Sequence, residues 1–364
     1  MRFPLTACSA LFAQELVEMG GDIPGRRIFF GRVTESLPEI VDPEFNFRSC
    51  RLLAWAVTHL QIQLGDFLSR YGRDRVAVVL GVSNTGIDEA QSFIDTSFSR
   101  PEGAADRFPH AFRFSMIELG TPTDYLAKTL GVTGPAYTIS TACSSSAKVF
   151  ASARRLIEAG ICDAAVVGGV DGRCRFAMNG FHALGALAQG RCRPLAEDRD
   201  GICLGEGVAL FLMERADNAL EDRRQVFFSG SGEMSDAYHA TAPDPEGCGA
   251  EAAMRAALAD AGRGPEEIDY INLHGTGTLA NDDMEMKAVR RVFGANLPQI
   301  ESTKAKTGHC LGAAGAVEAA ICWRKLRRGE IRRALSNSFA FGGCNASIVL
   351  EGDAASNARE GDVN

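Results

Sequence analysis

The chain has 364 residues, of which 46% are hydrophobic and 23% charged, and its formal net charge is −8. This hydrophobic fraction is too high for a disordered chain, and the acidic balance argues against a general nucleic-acid-binding protein, which is usually basic. No run approaches the roughly 18–20 apolar residues that a membrane-spanning helix needs, so we expect no membrane span.

Eleven cysteines are spread from Cys8 to Cys344 without any C-x-x-C pair. This pattern matches neither the disulfide framework of a small secreted protein nor a zinc ribbon. The segment before Cys8 is similar to a lipoprotein cleavage site, but it holds too few apolar residues for the roughly 7–15-residue core of a signal peptide. We therefore expect a cytoplasmic protein whose cysteines are mostly reduced and buried.

Short β-branched runs alternate with helical stretches along the chain, which is typical of an α/β fold with a mostly parallel sheet. In the first half the pattern predicts strands over 75–80, 136–141 and 164–167 and a helix over about 144–159. In the second half it predicts strands over 207–213, 225–229, 268–273 and 346–350 and helices over 251–262 and 312–328. The similar order suggests an internal structural duplication, with halves over 1–205 and 206–350 and a flexible tail over 351–364.

Cys143 lies where the second predicted strand meets the predicted helix from about residue 144. At such a junction a thiol meets the unpaired N–H groups and the positive dipole end of the helix, which favour the thiolate. The small residues Ser144, Ser145 and Ser146 would let a substrate approach closely. The alternative is that Cys143 is one more buried cysteine.

Two histidines lie in Gly- and Thr-rich segments that follow strands. His274 is in Leu273-His274-Gly275-Thr276, and His309 ends a segment with Lys304 and Gly308. Loops at strand ends present catalytic groups in α/β folds. Together with Cys143, the histidines suggest a thiolate with imidazole partners, a combination suited to acyl transfer.

Two other functions are weaker alternatives. The spacing from Cys143 to His274 falls within the roughly 130–150 residues of papain-like proteases, but the residues around Cys143 lack the protease signature. Gly230-Ser231-Gly232 follows a predicted strand, yet it lacks the third glycine of a dinucleotide-binding motif.

Five groups of motif residues follow one another along the chain. They are Thr141-Ala142-Cys143-Ser144-Ser145, the block from Arg193-Pro194-Leu195 to Gly205-Glu206-Gly207, His274-Gly275-Thr276-Gly277-Thr278, Lys304-x-x-x-x-His309 with Gly312-Ala313-Ala314-Gly315, and Asn337-Ser338-Phe339-Ala340-Phe341-Gly342-Gly343. In this order they resemble the β-ketoacyl-acyl carrier protein synthases of the Cys-His-His class, from about residue 75 to 350. The resemblance implies the thiolase fold, with two βαβαβ-type halves in five layers, α-β-α-β-α.

The resemblance also implies decarboxylative Claisen condensation of an acyl thioester with a malonyl thioester. Cys143 would carry the acyl chain, and His274 and His309 would stabilise the enolate. The backbone N–H groups of Cys143 and Phe341 would form the oxyanion hole. Lys304 and Glu318 match supporting positions. The pocket residues implied are Phe181, Thr276, Thr278, Gly342 and Gly343, with Phe341 as the gate. The substrates would be phosphopantetheine thioesters of acyl carrier protein, with no metal and no dissociable cofactor.

Several segments depart from the family pattern. The segment from Phe3 is a poor substitute for the usual first strand, and the chain is short by very roughly 25 residues before Leu335. Ala340 and Cys344 stand where glycine and threonine are common, and Leu119-Gly120-Thr121-Pro122 replaces a usual Asn-Met pair. These differences suggest a polyketide or polyene synthase of secondary metabolism rather than a fatty-acid enzyme.

The expected partners are an acyl carrier protein and a second subunit, in a homodimer or a ketosynthase heterodimer. A basic run over 324–333 is either solvated surface or a dock for the acidic carrier. Two alternatives to the condensing enzyme stay open. One is a non-catalytic chain-length partner, which usually lacks the cysteine, and the other is a coenzyme A-dependent thiolase, which His309 disfavours.

Overall fold

A computed structural model describes residues 2–23, 25–98, 112–215 and 225–353, and these ranges contain twelve β-strands and ten α-helices. The strands are β1 Phe3–Phe12, β2 Val17–Ile23, β3 Arg26–Phe30, β4 Val76–Gly81, β5 Ala136–Ile139, β6 Ala164–Asp171, β7 Gly207–Glu214, β8 Val226–Ser235, β9 Tyr270–Asn272, β10 Gln299–Glu301, β11 Arg333–Ala340 and β12 Cys344–Gly352. The helices are α1 Arg48–Thr58, α2 Gln61–Tyr71, α3 Ile87–Phe98, α4 Thr121–Leu130, α5 Ser145–Glu158, α6 Arg175–Ala183, α7 Cys248–Ala261, α8 Leu279–Phe293, α9 Lys304–Thr307 and α10 Ala314–Arg328.

The large sheet repeats one arrangement of five strands. In the first half the order is β5-β4-β6-β7-β1, where β5, β4 and β6 are parallel and β7 and β1 are each antiparallel to the strand before. In the second half the order is β10-β9-β11-β12-β8, with the same directions. A short pairing of β1 with β8, Phe3 with Phe228 and Pro4 with Phe227, joins the halves into one ten-stranded sheet. The strand order confirms the duplication suggested by the sequence.

Helices α5 and α10 lie side by side between the two halves of the sheet. On β4, Ala77 and Val79 face this central layer, whereas Val78 and Leu80 face α1, α2 and α4 on the outside. Helices α7 and α8 cover the outer face of the second half. Strands buried on both faces explain why the sequence shows continuous apolar runs instead of alternation. The result is the predicted five-layer arrangement, α-β-α-β-α.

The N-terminal segment differs from the expectation. The segment from Phe3 forms a ten-residue strand, β1, in the middle of the sheet between β7 and β8. Its residues are mostly small or apolar and nearly all buried, which suits a strand covered on both faces. Pro4 has no backbone N–H to donate, but it lies at the second residue of the strand, where this costs least.

The predicted end of β6 was also wrong. The strand does not stop at Gly168 but continues to Asp171. Both of its glycines lie against other segments of the protein that leave no room for a side chain. A Cβ atom on Gly168 would lie 2.0 Å from the carbonyl oxygen of Ala209, and one on Gly169 would lie 2.5 Å from the Cβ of Ser146. Glycine here allows close packing and does not mark a turn.

Two boundaries differ from the predicted division of the chain. Strand β7 hydrogen-bonds with β6 and β1 in the first half of the sheet, although the expected boundary at residue 205 assigns it to the second half. Glu351, where the predicted tail begins, is not part of a tail, because it lies in β12, is buried and forms ion pairs with Arg263 and Arg333. The rest of the predicted tail, 354–364, lies outside the described residues. In the described ranges, no helix has the length and hydropathy needed to cross a membrane.

Candidate active site

Cys143 lies between β5 and α5, at the predicted strand-to-helix junction. Ala142, just before it, has a φ of 51°, a left-handed conformation that residues with a side chain rarely adopt. Two hydrogen bonds fix the turn: the Thr141 N–H donates to Oγ of Ser145 at 2.9 Å, and that hydroxyl donates to the Ala142 carbonyl at 2.5 Å. Backbone strain of this kind persists where the surroundings hold it, often at functional sites.

The loop that carries His274 is held by two buried carboxylates of α8. Glu285 accepts the backbone N–H groups of His274 and Gly275, both at 2.8 Å. Asp282 accepts the N–H of Thr276 at 3.0 Å. These N–H groups follow the end of β9 and would otherwise be buried without a partner, which is costly. The carboxylates therefore fix the position of the imidazole.

His309 follows the short helix α9 and is bonded to a neighbouring loop. Its N–H donates to the Cys203 carbonyl at 2.8 Å, and its carbonyl accepts the N–H of Gly205 at 2.9 Å. Gly308 has a φ of 66°, and a Cβ atom there would lie 2.4 Å from the carbonyl oxygen of Leu204. Only glycine fits this position without strain.

These three side chains converge. The Sγ of Cys143 and one ring nitrogen each of His274 and His309 lie within 4.8 Å of one another. The two imidazole rings are 5.2 Å apart between centroids and nearly perpendicular, at 83°. All three residues are buried. The structure thus brings together the three residues that the sequence singled out.

The imidazoles are neutral, and most of their ring nitrogens have no hydrogen-bond partner within the described ranges. Burial lowers the pKa of both well below its ordinary value, and the positive charge of Lys304 lowers it further. Nδ1 of His274 and both ring nitrogens of His309 are buried, and within the described ranges they have no hydrogen-bond partner. A neutral imidazole offers one N–H donor, so these nitrogens can serve a ligand oxygen in the cavity.

Opposing effects act on the thiol. Burial raises the pKa of Cys143 to about 12, while the charge of Lys304 and hydrogen bonds from the backbone N–H groups of Phe341 and Cys143 lower it. The same two N–H groups are those expected to form the oxyanion hole. Lys304 itself is buried and forms an ion pair with Glu318, behind the imidazoles.

A cavity of about 360 Å³ opens beside the thiol. Of the residues predicted from the sequence, it is lined by Cys143, His274, His309, Phe181, Phe341, Thr276 and Thr278. Its lining is mostly apolar, with a few polar groups, and its size lies in the roughly 300–1,000 Å³ range of ligand pockets. Lys304 and Glu318 do not line it and act only through the residues in front of them.

The rings of Phe181 and Phe341 contact each other in the cavity lining, with centroids 5.5 Å apart and planes tilted by 34°. Gly342 and Gly343, predicted as pocket residues, are not among the lining residues. They turn the chain behind Phe341, with φ values of 81° and 71°. The N–H of Asp236 donates to the Gly343 carbonyl at 2.8 Å, so these glycines shape the backbone that carries the aromatic ring.

Sequence reasoning missed the carboxylates that support the site. Besides Asp282 and Glu285, Asp171 at the end of β6 accepts the N–H groups of Ser83 and Asn84, at 3.0 and 2.8 Å. Burial raises the pKa of both Asp171 and Glu285 to about 7. A signal for α8 was present, since acids in the first turns of a helix suit its dipole, but it does not reveal that they turn back onto the loop.

The basic run over 324–333 lies at the far end of α10 and is largely paired within the chain. Arg332 and Arg333 form ion pairs with Asp269 and Glu351. Arg324 stacks on Phe12. These contacts favour a structural role for the run over the alternative of a dock.

The thiol and two imidazoles are also the one group in the described ranges whose ligand atoms lie close enough to hold a metal ion. Such soft donors suit zinc. The positive charge of Lys304 acts on Cys143, His274 and His309 alike and opposes a cation there. That the site needs no metal stays a prediction.

Comparisons with known proteins agree on one family. A model of the β-ketoacyl synthase N-terminal domain matches residues 56–219, and one of the C-terminal domain matches residues 227–337. Nodulation protein E of Rhizobium meliloti (strain 1021) is 34% identical over 295 residues, which are 68% of this chain and 73% of that protein. The 3-oxoacyl-[acyl-carrier-protein] synthase 2 of the same strain is 32% identical, over 90% of this chain and 89% of that protein.

A solved structure is similar over nearly the whole chain. It holds the ketosynthase ApeO in complex with its chain length factor ApeC, from Xenorhabdus doucetiae. The matched chain is 38% identical, with a TM-score of 0.89, over 96% of this chain and 98% of that one.

Proposed function

The chain belongs to the β-ketoacyl synthase family, and on that premise we propose that it condenses an acyl thioester on Cys143 with malonyl-acyl carrier protein. The product is a β-ketoacyl-acyl carrier protein, and carbon dioxide is released. One observation carries the proposal: a thiol and two neutral imidazoles meet in an apolar cavity, and imidazole nitrogens there have no hydrogen-bond partner among the described residues. In that arrangement the thiol can hold the acyl chain as a thioester, and the two imidazoles can donate hydrogen bonds to an enolate oxygen.

In the first half-reaction, the Cys143 thiolate attacks the carbonyl carbon of the incoming thioester. The C–S bond to the carrier breaks, and the phosphopantetheine thiolate leaves and takes up the proton that the Cys143 thiol gave up on ionisation. The N–H groups of Cys143 and Phe341 already point at Sγ, and they would donate to the oxyanion that develops next to it. Burial keeps the thiolate fraction of Cys143 small, whereas these two N–H donors and the charge of Lys304 stabilise the thiolate, which is the reactive form.

In the second half-reaction, His274 and His309 donate hydrogen bonds to the thioester carbonyl of the malonyl group. Carbon dioxide departs, and the electron pair of the broken C–C bond forms an enolate whose oxygen these donors stabilise. The enolate carbon attacks the acyl carbon on Cys143, and the C–S bond breaks to return the thiolate. Neutral imidazoles suit this step because a charged pair would be costly at such depth.

The cavity supports a phosphopantetheine-linked substrate. Thr276 and Thr278 line it with hydroxyl groups that hydrogen-bond each other at 2.9 Å, while Phe181 and Phe341 provide an apolar wall. The threonine hydroxyls would bind the amide-rich phosphopantetheine arm, and the aromatic rings would contact the acyl chain. The partner is an acyl carrier protein, and a polyene or polyketide substrate is proposed on the departures from the family pattern at Ala340 and Cys344.

The similarity to a chain of the solved ApeO–ApeC complex supports a heterodimer over a homodimer, because that complex pairs a ketosynthase with a chain length factor. It also favours a second candidate function, a non-catalytic partner of an active subunit. Cys143 and both imidazoles argue against this candidate, since a partner that only shapes a pocket needs no thiol. A coenzyme A-dependent thiolase is disfavoured by His309.

Intact mass measurement tests the proposal. The protein is incubated with a panel of acyl carrier thioesters, saturated and polyunsaturated, and then with malonyl carrier. We expect an acyl-sized mass gain in the wild type and in Cys248→Ala, an exposed-cysteine control, but not in Cys143→Ala. His309→Ala should still be acylated and should fail to discharge the chain. Folded protein that gains no mass with any carrier, alone or with a chain length factor, would overturn the proposal.

A further inference from the structure

Two buried cysteines behind the active site form a pair that the condensation mechanism does not use. The backbone N–H of Cys192 donates to Sγ of Cys203 at 3.1 Å, which places the two side chains next to each other. Each residue is 2% exposed. We call Cys192 and Cys203 the thiol pair.

The thiol pair contacts the segment that carries His309. The Cys192 thiol donates to the Lys304 carbonyl at 3.3 Å, and the Cys203 thiol donates to the Gly190 carbonyl at 3.4 Å. The Cys203 carbonyl in turn accepts the N–H of His309 at 2.8 Å. A chemical change at the pair would therefore act on both ends of the segment from Lys304 to His309.

The surroundings shift the pKa values of the two thiols in opposite directions. Burial raises the pKa of other thiols in the core, such as Cys50 and Cys310. The adjacent Cys203 thiol instead lowers the pKa of Cys192, helped by the charge of Lys304, whereas Cys192 and burial raise the pKa of Cys203. A thiolate-prone sulfur beside a protonated one is the arrangement that forms a disulfide through a sulfenic acid.

We propose that Cys192 and Cys203 are an oxidation site that a hydroperoxide converts into an intrachain disulfide. The Cys192 thiolate attacks one peroxide oxygen, the O–O bond breaks, and Cys192 becomes a sulfenic acid. The hydroxide that leaves takes up the proton lost by the Cys192 thiol and becomes water. The Cys203 sulfur then attacks the sulfenic sulfur, the S–S bond forms, and a second water leaves. Two thiols are oxidised and one hydrogen peroxide is reduced to two waters.

The position of the pair selects for a small oxidant. A void of about 10 Å³, about the space of one water molecule, lies beside Cys203. The void reaches Cys203 but not Cys192, so a reagent needs a local opening of the fold, and hydrogen peroxide, with two heavy atoms, needs a smaller opening than a bulky alkylating reagent. Oxidation should therefore reach the folded pair more readily than alkylation does.

A consequence for catalysis rests on the proposed function. The disulfide removes the S–H donor from the Lys304 carbonyl and moves Cys203, whose carbonyl holds His309. We expect slower discharge of acyl-Cys143 by malonyl carrier in the oxidised protein, with full recovery after dithiothreitol.

Peptide mapping tests the disulfide directly. The full-length protein is treated with hydrogen peroxide, its remaining thiols are alkylated with iodoacetamide in denaturant, and it is digested with trypsin. Cys192 and Cys203 fall in separate peptides, 192–199 and 200–215, because Pro194 blocks cleavage after Arg193. We expect these peptides to be joined, to separate on reduction, and to account for two of the eleven thiols.

Matched variants decide the outcome. Cys203→Ser should abolish the link and leave a sulfenic acid on Cys192 that dimedone traps, whereas Cys248→Ser, at an exposed cysteine, should keep it. Cys192→Ser provides a second loss of the link if Cys203→Ser fails to fold. Recovery of both peptides in fully alkylated form, at a peroxide concentration that oxidises Cys248, would overturn the proposal. Because this readout needs no substrate, it stands or fails separately from the condensation.

Discussion

Replacing Lys304 or Glu318 tests whether their buried ion pair supports catalysis or only folding. The side chains are 1% and 2% exposed, so each charge depends on the other in place of water. Removing one partner of such a pair costs about 3–5 kcal/mol, since the remaining charge is uncompensated. We expect Lys304→Met and Glu318→Leu each to lower the free energy of unfolding by about this amount.

The two single variants should differ in their pH dependence. In Lys304→Met the remaining carboxyl can become neutral, because burial raises the pKa of Glu318 above its unfolded value. A group whose pKa is raised in the folded state contributes stability below its unfolded pKa and loses it as the pH rises. The decrease in the free energy of unfolding caused by Lys304→Met should therefore be smallest near pH 5 and grow towards pH 8.

The double variant Lys304→Met/Glu318→Leu separates stability from activity. Replacing both charges with apolar groups of similar size is often neutral or stabilising by about 1–4 kcal/mol, so we expect near wild-type stability in urea unfolding. Acylation and discharge should remain impaired, because Lys304 lowers the pKa of Cys143, His274 and His309. Full activity in the double variant, or a cost below about 1 kcal/mol in either single variant, would refute this reasoning.

Three further predictions address the thiol, a loop and a turn. Alkylation of Cys143 by iodoacetamide should accelerate about tenfold per pH unit between about pH 6 and 9, because burial raises its pKa to about 12; a plateau near neutral pH would contradict this. Glu285→Gln should slow malonyl discharge more than acylation, because an amide NH₂ would face the N–H of His274; equal effects in single-turnover assays would argue against it. Gly308→Ala should lower the free energy of unfolding by about 1–3 kcal/mol, since its φ is 66°, and an unchanged urea midpoint would disprove the expected strain.

The sequence predicted the reactive residues better than the elements that hold them. Cys143, His274 and His309 were identifiable because each lies in a short motif at the end of a strand or helix. The first strand was missed, since β1 lies in the centre of the sheet and its small residues give no alternation. The strand predicted over 164–167 ends before the two glycines of β6, because a sequence does not show the neighbouring strand and helix that require glycine there.

The supporting carboxylates were missed for a different reason. Asp282 and Glu285 accept backbone N–H groups of the loop that directly precedes their helix, and Asp171 accepts those of a loop that is distant in sequence. An acid in the first turn of a helix is also typical of an exposed, dipole-stabilised residue, so its type and position do not distinguish the two roles. Only the tertiary path of the loops does.

The duplication explains why the site needs both halves of the molecule. Strands β5 and β10 occupy equivalent places in the two halves, and the connections from them to α5 and α10 carry Cys143 and His309 respectively. Since α5 and α10 pack side by side between the sheets, the two connections meet at one end of the central layer. The first half thus supplies the nucleophile, and the second half supplies both imidazoles. The Sγ of Cys143 and the imidazole nitrogens lie within 4.8 Å of one another only because the two halves pack together. The contacts that form the central core therefore also position the catalytic groups.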